Sequence, residues 1–565
     1  MKFLLKISLV LLGFDSIAQT LLPIPDTLSG PNYVLNMHKD SVQFFSGNIS
    51  HTYAFNQYKY LGPTLIFNKG TNVNITVNNQ IGDTTTVHWH GIHLPSKWDG
   101  GPHTPILPSA TWTPSFTVMD NAATYWYHPH MHMKTAEQAI KGAAGLIIVR
   151  DPIEAALTLP RKYGVDDFPL VIQCQQYDSM NQAMSLGMQD STILVNGARA
   201  SHGFTVNANF PAQIVRMRLL NASGERAFNF GFTANKQFKI IASDGGLLNS
   251  PVTTDRIRLA PGERAEILID LNGMNGQTLH LMSYASELAM GIQGGPTMPM
   301  PVGSPPMDSP LNGIDFNIMQ ITVVPQTANP ITTIPSSLTT NAPYLSSQAN
   351  ITRTVRFTAD SLMVMDGPFY FNGNSFDMMR IDYEIPLGSI EIWKLVNETM
   401  VAHPFHIHDV QFFLIDRNGT TPPVEELGRK DVVLVPPFDS VMFITKFEDF
   451  ADTTIPFMFH CHILMHEDDG MMGQFVVKPL SVGINELNNN NSFTIYPNPC
   501  NSLVNIDAKD MTSVSIFNTL GEMIYTQNKL STNSLQINTS QWSKGIYTVQ
   551  VNSNNQSITK KLIVN

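Results

Sequence analysis

Twelve of the 17 histidines fall in four short segments: His88-Trp89-His90-Gly91-Ile92-His93, His128-Pro129-His130-Met131-His132, His403-Pro404-Phe405-His406-Ile407-His408 and His460-Cys461-His462-Ile463-Leu464-Met465-His466. Each contains a His-x-His pair, and on a strand residues i and i+2 face the same side, so each pair aims two imidazoles at one point. Imidazole suits zinc, copper, iron and nickel, so the nitrogen donors alone do not choose the metal. Cys461 does choose. His466 and Met471 follow it at five and ten residues and His403 lies upstream; two imidazoles, one thiolate and a long axial Met make a blue-copper electron-transfer site. A structural zinc site would want more thiolates, and no second cysteine is near. If Cys461 binds one copper, His460 and His462 point to the opposite face of the same strand. With His88, His90, His128, His130, His406 and His408 they make eight imidazoles, enough for a cluster of three coppers between two regions far apart in sequence.

The elements that must position these groups are strands. NVNITVNNQ, WTPSFTVMD, GLIIVRD, QIVRMRLLNAS, FKIIASDGG, AEILIDLNG, EIWKLVN and SVMFITKF are each bounded by Gly, Pro, Asn or Asp. Helical periodicity is scarce, so the expected fold is all-β, built of β-sandwich domains. Composition shifts at 151–164 and across the Pro/Ser/Thr-rich stretch 323–348 set expected domains at 19–155, 160–325 and 350–480, with a linker at 481–492 before a small β tail at 493–565. The opening MKFLLKISLVLLGFDSIAQT reads as a secretory signal peptide over 1–18, cleaved after Ala18. Its apolar run is shorter than the roughly 20 residues that span a bilayer, and no later run is long enough, so no membrane span is expected after signal removal.

The remaining composition narrows the function classes. The 565 residues carry a net charge of −11, with 14% charged and 43% hydrophobic residues, which excludes global disorder. A nucleic-acid surface needs clustered Lys/Arg, and none is found. Three cysteines, at 174, 461 and 500, are too few and too scattered for a disulfide framework. Cys174, in PLVIQCQQY, is expected as a small buried hydrophobe.

Over roughly residues 30–478 the chain resembles the multicopper oxidases, most closely the bacterial copper-efflux (cuprous) oxidases. VHWHGIHLPSKWDGGP, YWYHPHMHMKT, RLLNASGERAFNF, IASDGGLL, FDMMRIDYEIP, HPFHIHDVQF and HCHILMHEDDGMMG carry the likeness. The resemblance implies three cupredoxin-like Greek-key sandwiches and four copper ions, and it couples one-electron oxidation of a reductant to four-electron reduction of O2 to water. Type 1 copper would take His403, Cys461, His466 and axial Met471; type 2 copper His88 and His406; the type 3 pair His90, His128, His130, His408, His460 and His462. Asp99, in WDGG, matches the acid near the type 2 water channel of similar enzymes, and Glu467, directly after His466, an acid that relays protons to reduced oxygen; a proton role is expected for both. For Glu467 the alternative is a partner that only orients a ligand. His93, His103 and His132 are expected to be neighbours of the clusters, not ligands. The tail, with YPNP, KGIY and a final KKL segment, resembles a type IX secretion sorting domain of small β-sandwich form. It implies contact with the secretion machinery and a secreted or cell-surface protein, with the periplasm as the alternative.

The methionines bear on the reductant. Residues 282–307 hold Met282, Met290, Met298, Met300 and Met307 in a Gly/Pro-rich loop, and Met365, Asp366, Glu398 and Met400 lie near the type 1 motif in sequence. Thioethers are soft ligands that select Cu(I), so Met298, Met300, Met365, Asp366, Glu398 and Met400 are candidate ligands for substrate copper. The chain departs from the cuprous oxidases in lacking their long Met-rich insertion. It has Thr399 and Val401 where those enzymes place an Asp and a Met before HPFHIH, and Glu398 and Met400 would substitute only with a one-residue shift. Cu(I) is the first expectation for the substrate and laccase-like oxidation of phenols or aromatic amines the second; a secreted copper-sequestering protein is the third.

Overall fold

The computed structural model describes residues 20–185, 189–199, 205–297, 309–362, 364–479, 493–553 and 556–565. The expected signal peptide, the 481–492 linker, Met298 and Met300 lie outside them. The chain divides after residue 480 into two compact units.

Alternation of apolar and polar residues builds the larger unit as three two-sheet sandwiches, each with its own core. In the first, one sheet ends in two antiparallel strands, β1 (His88–His90) and β2 (Thr124–His128), and the facing sheet centres on Asn32–Val42 and Asn72–Gln80. The second sandwich includes β3 (Arg264–Asp270). Ala265, Ile267 and Ile269 of β3 turn into the local core, while Arg264 and Glu266, two apart, face the first sandwich. In the third, one sheet carries β4 (His403–Ile407), β5 (Val432–Val435), β6 (Asp452–Cys461) and β7 (Met472–Lys478), with β4 paired to both β5 and β6. A single helical turn, α1 (Leu464–Asp468), follows β6. The tail unit packs a three-stranded and a four-stranded sheet around Val504, Val514, Val549 and Leu562, with Cys500 buried among them.

Contacts between sandwiches combine buried apolar clusters, such as Trp126 and Leu146 of the first against Val171 and Leu220 of the second, with buried ion pairs that fix orientation. Arg216 and Arg218 pair with Glu266, Glu154 and Asp167, all at 1% exposure or less. Thr124, at the start of β2, donates its hydroxyl to Glu266 at 2.7 Å and accepts from Arg218 at 3.0 Å. Removing one partner from such a network leaves a buried charge uncompensated, at a cost of about 3–5 kcal/mol. Asp468 reaches from the third sandwich to accept from the backbone N–H of Thr135 and Ala136, at the start of the helix Thr135–Ile140 in the first.

Two stretches read as loop or linker are more ordered than their composition suggests. Met282 belongs to the strand Thr278–Ser283, because Leu279 and Leu281 beside it alternate into the second core. The Pro/Ser/Thr-rich stretch after residue 323 lies against the second sandwich: Leu338 is buried, and the Ile331 carbonyl accepts from Ile214 N–H.

Candidate metal centre

Strand register does the first part of the assembly. In β1 and β2, His88 stands opposite His128; in β4 and β6, His406 stands opposite His460. Opposed residues on one face lie about 5 Å apart, so each pairing delivers imidazoles side by side. Packing of the first sandwich on the third then closes the two sets onto each other. His88 stacks on His408 with ring centroids 3.9 Å apart, His90 stacks on His406 at 3.8 Å, and His130 meets His460 edge-on at 4.6 Å. Nitrogens face nitrogens: His90 Nδ1 lies 3.3 Å from His128 Nε2, and His408 Nε2 lies 3.4 Å from His460 Nε2. Donor atoms of His88, His406 and His408, and of His130, His408 and His460, fall within 4.8 Å of one another. His462 closes the group, its ring 5.0 Å from His90 and 5.5 Å from His128. All eight imidazoles are at 1% exposure or less.

Cys461 turns the other way. Its Sγ lies 3.5 Å from His403 Nδ1 and 3.6 Å from His466 Nδ1, and Phe369 packs against both rings at 4.6 Å, edge-on to His403 and tilted to His466. Met471 is fully buried, and its backbone is tied to Cys461 N–H and to the His466 carbonyl. His403 Nε2 is 2.9 Å from the buried Thr399 hydroxyl, so the Thr that replaces an acid here orients the imidazole without a charge.

The donors fit a metal. His88 Nε2, His406 Nε2 and both ring nitrogens of His130 and His462 are buried without a hydrogen-bond partner, an arrangement costing about 1–3 kcal/mol per group if nothing binds them. Burial, aided by neighbouring imidazoles, holds His90, His128, His406 and His408 well below the usual range, and His130 and His462 down at about 3. Burial does the same to His403 and His466. These rings are neutral at pH 7, the form that ligates. Burial pushes the Cys461 thiol up, so a bound cation must take its proton.

Two carboxylates bridge the sandwiches at the cluster. Asp99 Oδ2 is 2.7 Å from His408 Nδ1, and its carbonyl is 2.9 Å from His88 Nδ1. Glu467 places one oxygen 3.3 Å from His130 Nδ1 and the other 3.2 Å from His460 Nδ1. Those two contacts are close but poorly aligned as hydrogen bonds, so charge dominates them. Burial works to raise the Glu467 carboxyl, but the imidazoles of His130 and His460 outweigh it and hold it far below the usual range.

The other motif histidines stand outside both donor groups. His103 contacts Gln474 at 2.6 Å, and His132 packs on Phe376. His93 sits between sandwiches, its Nδ1 2.8 Å from Asp409 and its Nε2 3.4 Å from Asp449. Burial would lower this imidazole, but the carboxylates of Asp409 and Asp120 prevail and raise it to about 10. A raised folded-state value stabilises fully below the ordinary 6.5 and is lost as pH climbs to about 10. The melting temperature is therefore expected to fall from pH 7 to 10, and His93→Gln should flatten that fall. An unchanged slope in the variant would reject the pair.

Of the candidate substrate-copper residues, Met365 and Asp366 are exposed and Met400 is half-buried. The Glu398 carboxylate is paired with Arg356 at the surface. The loop after Ser283 lies beside the type 1 motif: the Gly291 carbonyl accepts from Ala402 N–H at 2.7 Å, and Met290 next to it is half exposed. Asp431 and Arg264, which join the cluster, carried no motif signal. Asp431 is one acid before a plain apolar strand, and Arg264 lies in a sandwich that supplies no imidazole.

Paired imidazole and thiolate clusters one residue apart, on stacked β-sandwiches, define a copper redox protein. The comparisons agree. Multicopper oxidase family models match residues 36–154, 171–287 and 342–481, and a secretion-system C-terminal sorting domain model matches 494–565. The multicopper oxidase mco of Staphylococcus haemolyticus is 34% identical over 457 residues, covering 79% of this chain and 88% of that protein. The cell division protein FtsP of Escherichia coli is 29% identical over 470 residues, 81% and 93%. Among solved structures, the laccase-like multi-copper oxidase CueO of Ochrobactrum sp., described with oxidase activity towards lignin model compounds, superposes with a TM-score of 0.70 at 31% identity, covering 81% of this chain and 100% of that one. The Campylobacter jejuni multicopper oxidase, described as a metallo-oxidase, gives 0.66 at 25% identity, covering 81% and 98%. The chain belongs to the multicopper oxidase family and is a copper-dependent oxidoreductase with a cupredoxin-like fold, which takes O2 and a reductant as its partners.

Proposed function

We propose that this protein binds four coppers and oxidises Cu(I), passing electrons to O2. The observation that carries the reading is Cys461 itself. On one strand end it joins His403 and His466, while His460 and His462, each one peptide bond away, join the eight-imidazole cluster. His403, Cys461 and His466, with Met471, would hold the type 1 ion. His88 and His406 would hold the type 2 ion, and His130, His408, His460 with His90, His128, His462 would hold the type 3 pair. The chemistry that bound copper supplies is one-electron acceptance from the reductant at the thiolate site and four-electron reduction of O2 to water at the cluster. The chain's part is to orient and to manage protons. Asp99 meets His408 with its carboxylate and His88 with its carbonyl, Glu467 sets its two oxygens beside His130 and His460, and these are the acids placed to pass protons inward. The FtsP relatives are named for cell division, but the complete donor set here supports turnover over a binding role, and over sequestration too. The sorting domain supports export by a type IX route.

Cu(I) is favoured as reductant by the Met-bearing loop next to Ala402. The absence of the long Met-rich insertion of the cuprous oxidases supports phenols as the second choice. O2 uptake driven by Cu(I) and by a phenol should be compared on one preparation of the wild type and of a Met290→Leu/Met298→Leu/Met300→Leu variant. The Cu(I) rate is expected to fall about 10-fold, near 1.4 kcal/mol in transition-state terms, with the phenol rate unchanged. Equal loss on both, or none, rejects the loop as a copper path.

A further inference from the structure

The second sandwich supplies no imidazole and no thiolate, yet it grips the cluster through one side chain. Arg264, wholly buried at the start of β3, donates Nη1 and Nη2 to the two oxygens of Asp431 at 2.5 and 2.6 Å. Its Nε donates to the Thr124 carbonyl at 3.1 Å, and its remaining N–H groups reach the carbonyls of Gly262 and Asp244 at 3.1 and 3.0 Å. With its fork filled, the guanidinium has one orientation.

Asp431 hands that orientation on. Oδ1 lies 3.2 Å from His90 Nε2, and the Asp431 carbonyl is 2.8 Å from His406 Nδ1. There is no slack in this corner: a Cβ on Gly91 would lie 2.5 Å from Asp431 Oδ2 and 2.7 Å from Arg264 Nη2, and one on Gly262 would lie 2.8 Å from the His462 ring. His90, His406 and Asp431 also stand close enough to be three ligands of one ion. The filled arginine fork makes Asp431 an acceptor for His90 Nε2–H instead. That leaves His90 Nδ1, which faces His128 Nε2, and His406 Nε2, which has no partner, as the nitrogens offered to the cluster.

We propose that Arg264 is a positioning residue of the copper cluster: through Asp431 it sets which nitrogens of His90 and His406 are presented. The inference rests on the copper reading above. Its test uses the full-length protein and three variants, Arg264→Lys, Asp431→Asn and the two combined. The readouts are copper per chain, the type 2 electron paramagnetic resonance signal, the type 1 blue absorption, and melting of the metal-free forms. Lysine keeps the charge but loses the fork, so Arg264→Lys should stay blue while copper affinity at the cluster falls about 10- to 100-fold, the usual cost of losing a ligand's hydrogen-bond partner. The type 2 signal should shift with it, and the double variant should be no worse than Asp431→Asn alone. Unchanged copper and type 2 signal in Arg264→Lys overturn the proposal. So do additive losses in the double variant, and a joint loss of blue colour and melting temperature, which would mark a general folding role. Wild-type protein that binds no copper at the cluster sinks the copper reading itself, and this inference with it.

Discussion

Cys461→Ser is expected to give a folded, copper-binding chain with no blue absorption and with substrate-driven O2 uptake at background. A hydroxyl is a hard, weakly acidic donor that cannot replace the thiolate in a two-imidazole, one-sulfur site. The side chains are close in volume, so the cost to stability is about 1–2 kcal/mol. The third core around Phe405, Phe459 and Trp393 is untouched. The eight-imidazole cluster should still load, because His460 and His462 face away from the Cys461 thiol and the other six ligands come from other segments. Copper analysis separates loss of one ion from loss of all. A Cys461→Ser protein that is still intensely blue would sink the type 1 assignment.

Glu467→Gln is the second large effect, an expected loss of about 100-fold in kcat with the blue absorption kept. The carboxylate spans His130 and His460, one from each sandwich, so its charge orients two ligands at once. An amide offers one weaker acceptor and no charge, and it cannot carry a proton. Loss of an orienting partner accounts for 10- to 100-fold, and loss of acid–base help for about 100-fold or more. The two roles separate by measurement. Full cluster copper with a raised solvent isotope effect assigns proton transfer; depleted cluster copper assigns orientation. A variant with less than threefold loss removes Glu467 from both.

Much of the site was legible because its signals are local. His-x-His spacing needs only the two-residue period of a strand, and the register of β1 on β2 and β4 on β6 then brings His88 to His128 and His406 to His460. Short strands between turn residues likewise announced sandwiches. Local composition misled where tertiary packing overrides it. Met282 looked like part of a loop but lies in a strand, since its apolar neighbours fill the second core. Thr399 read as a missing acid, and it stands as a neutral hydrogen-bond partner for His403.

Residue types and spacing alone pointed to the metal chemistry: Cys461 followed by His466 and Met471, with His403 upstream, is the donor set of a blue-copper site. Only the folded chain decided what holds those ligands still. Arg264, Asp431 and Asp99 belong to three different sandwiches: Arg264 meets Asp431 across 167 residues, Asp431 meets His90 across 341, and Asp99 meets His408 across 309. Such contacts have no local period to reveal them. They depend on which buried charges the packed sandwiches leave facing one another, and an unpaired charge there is too costly for the arrangement to be left loose.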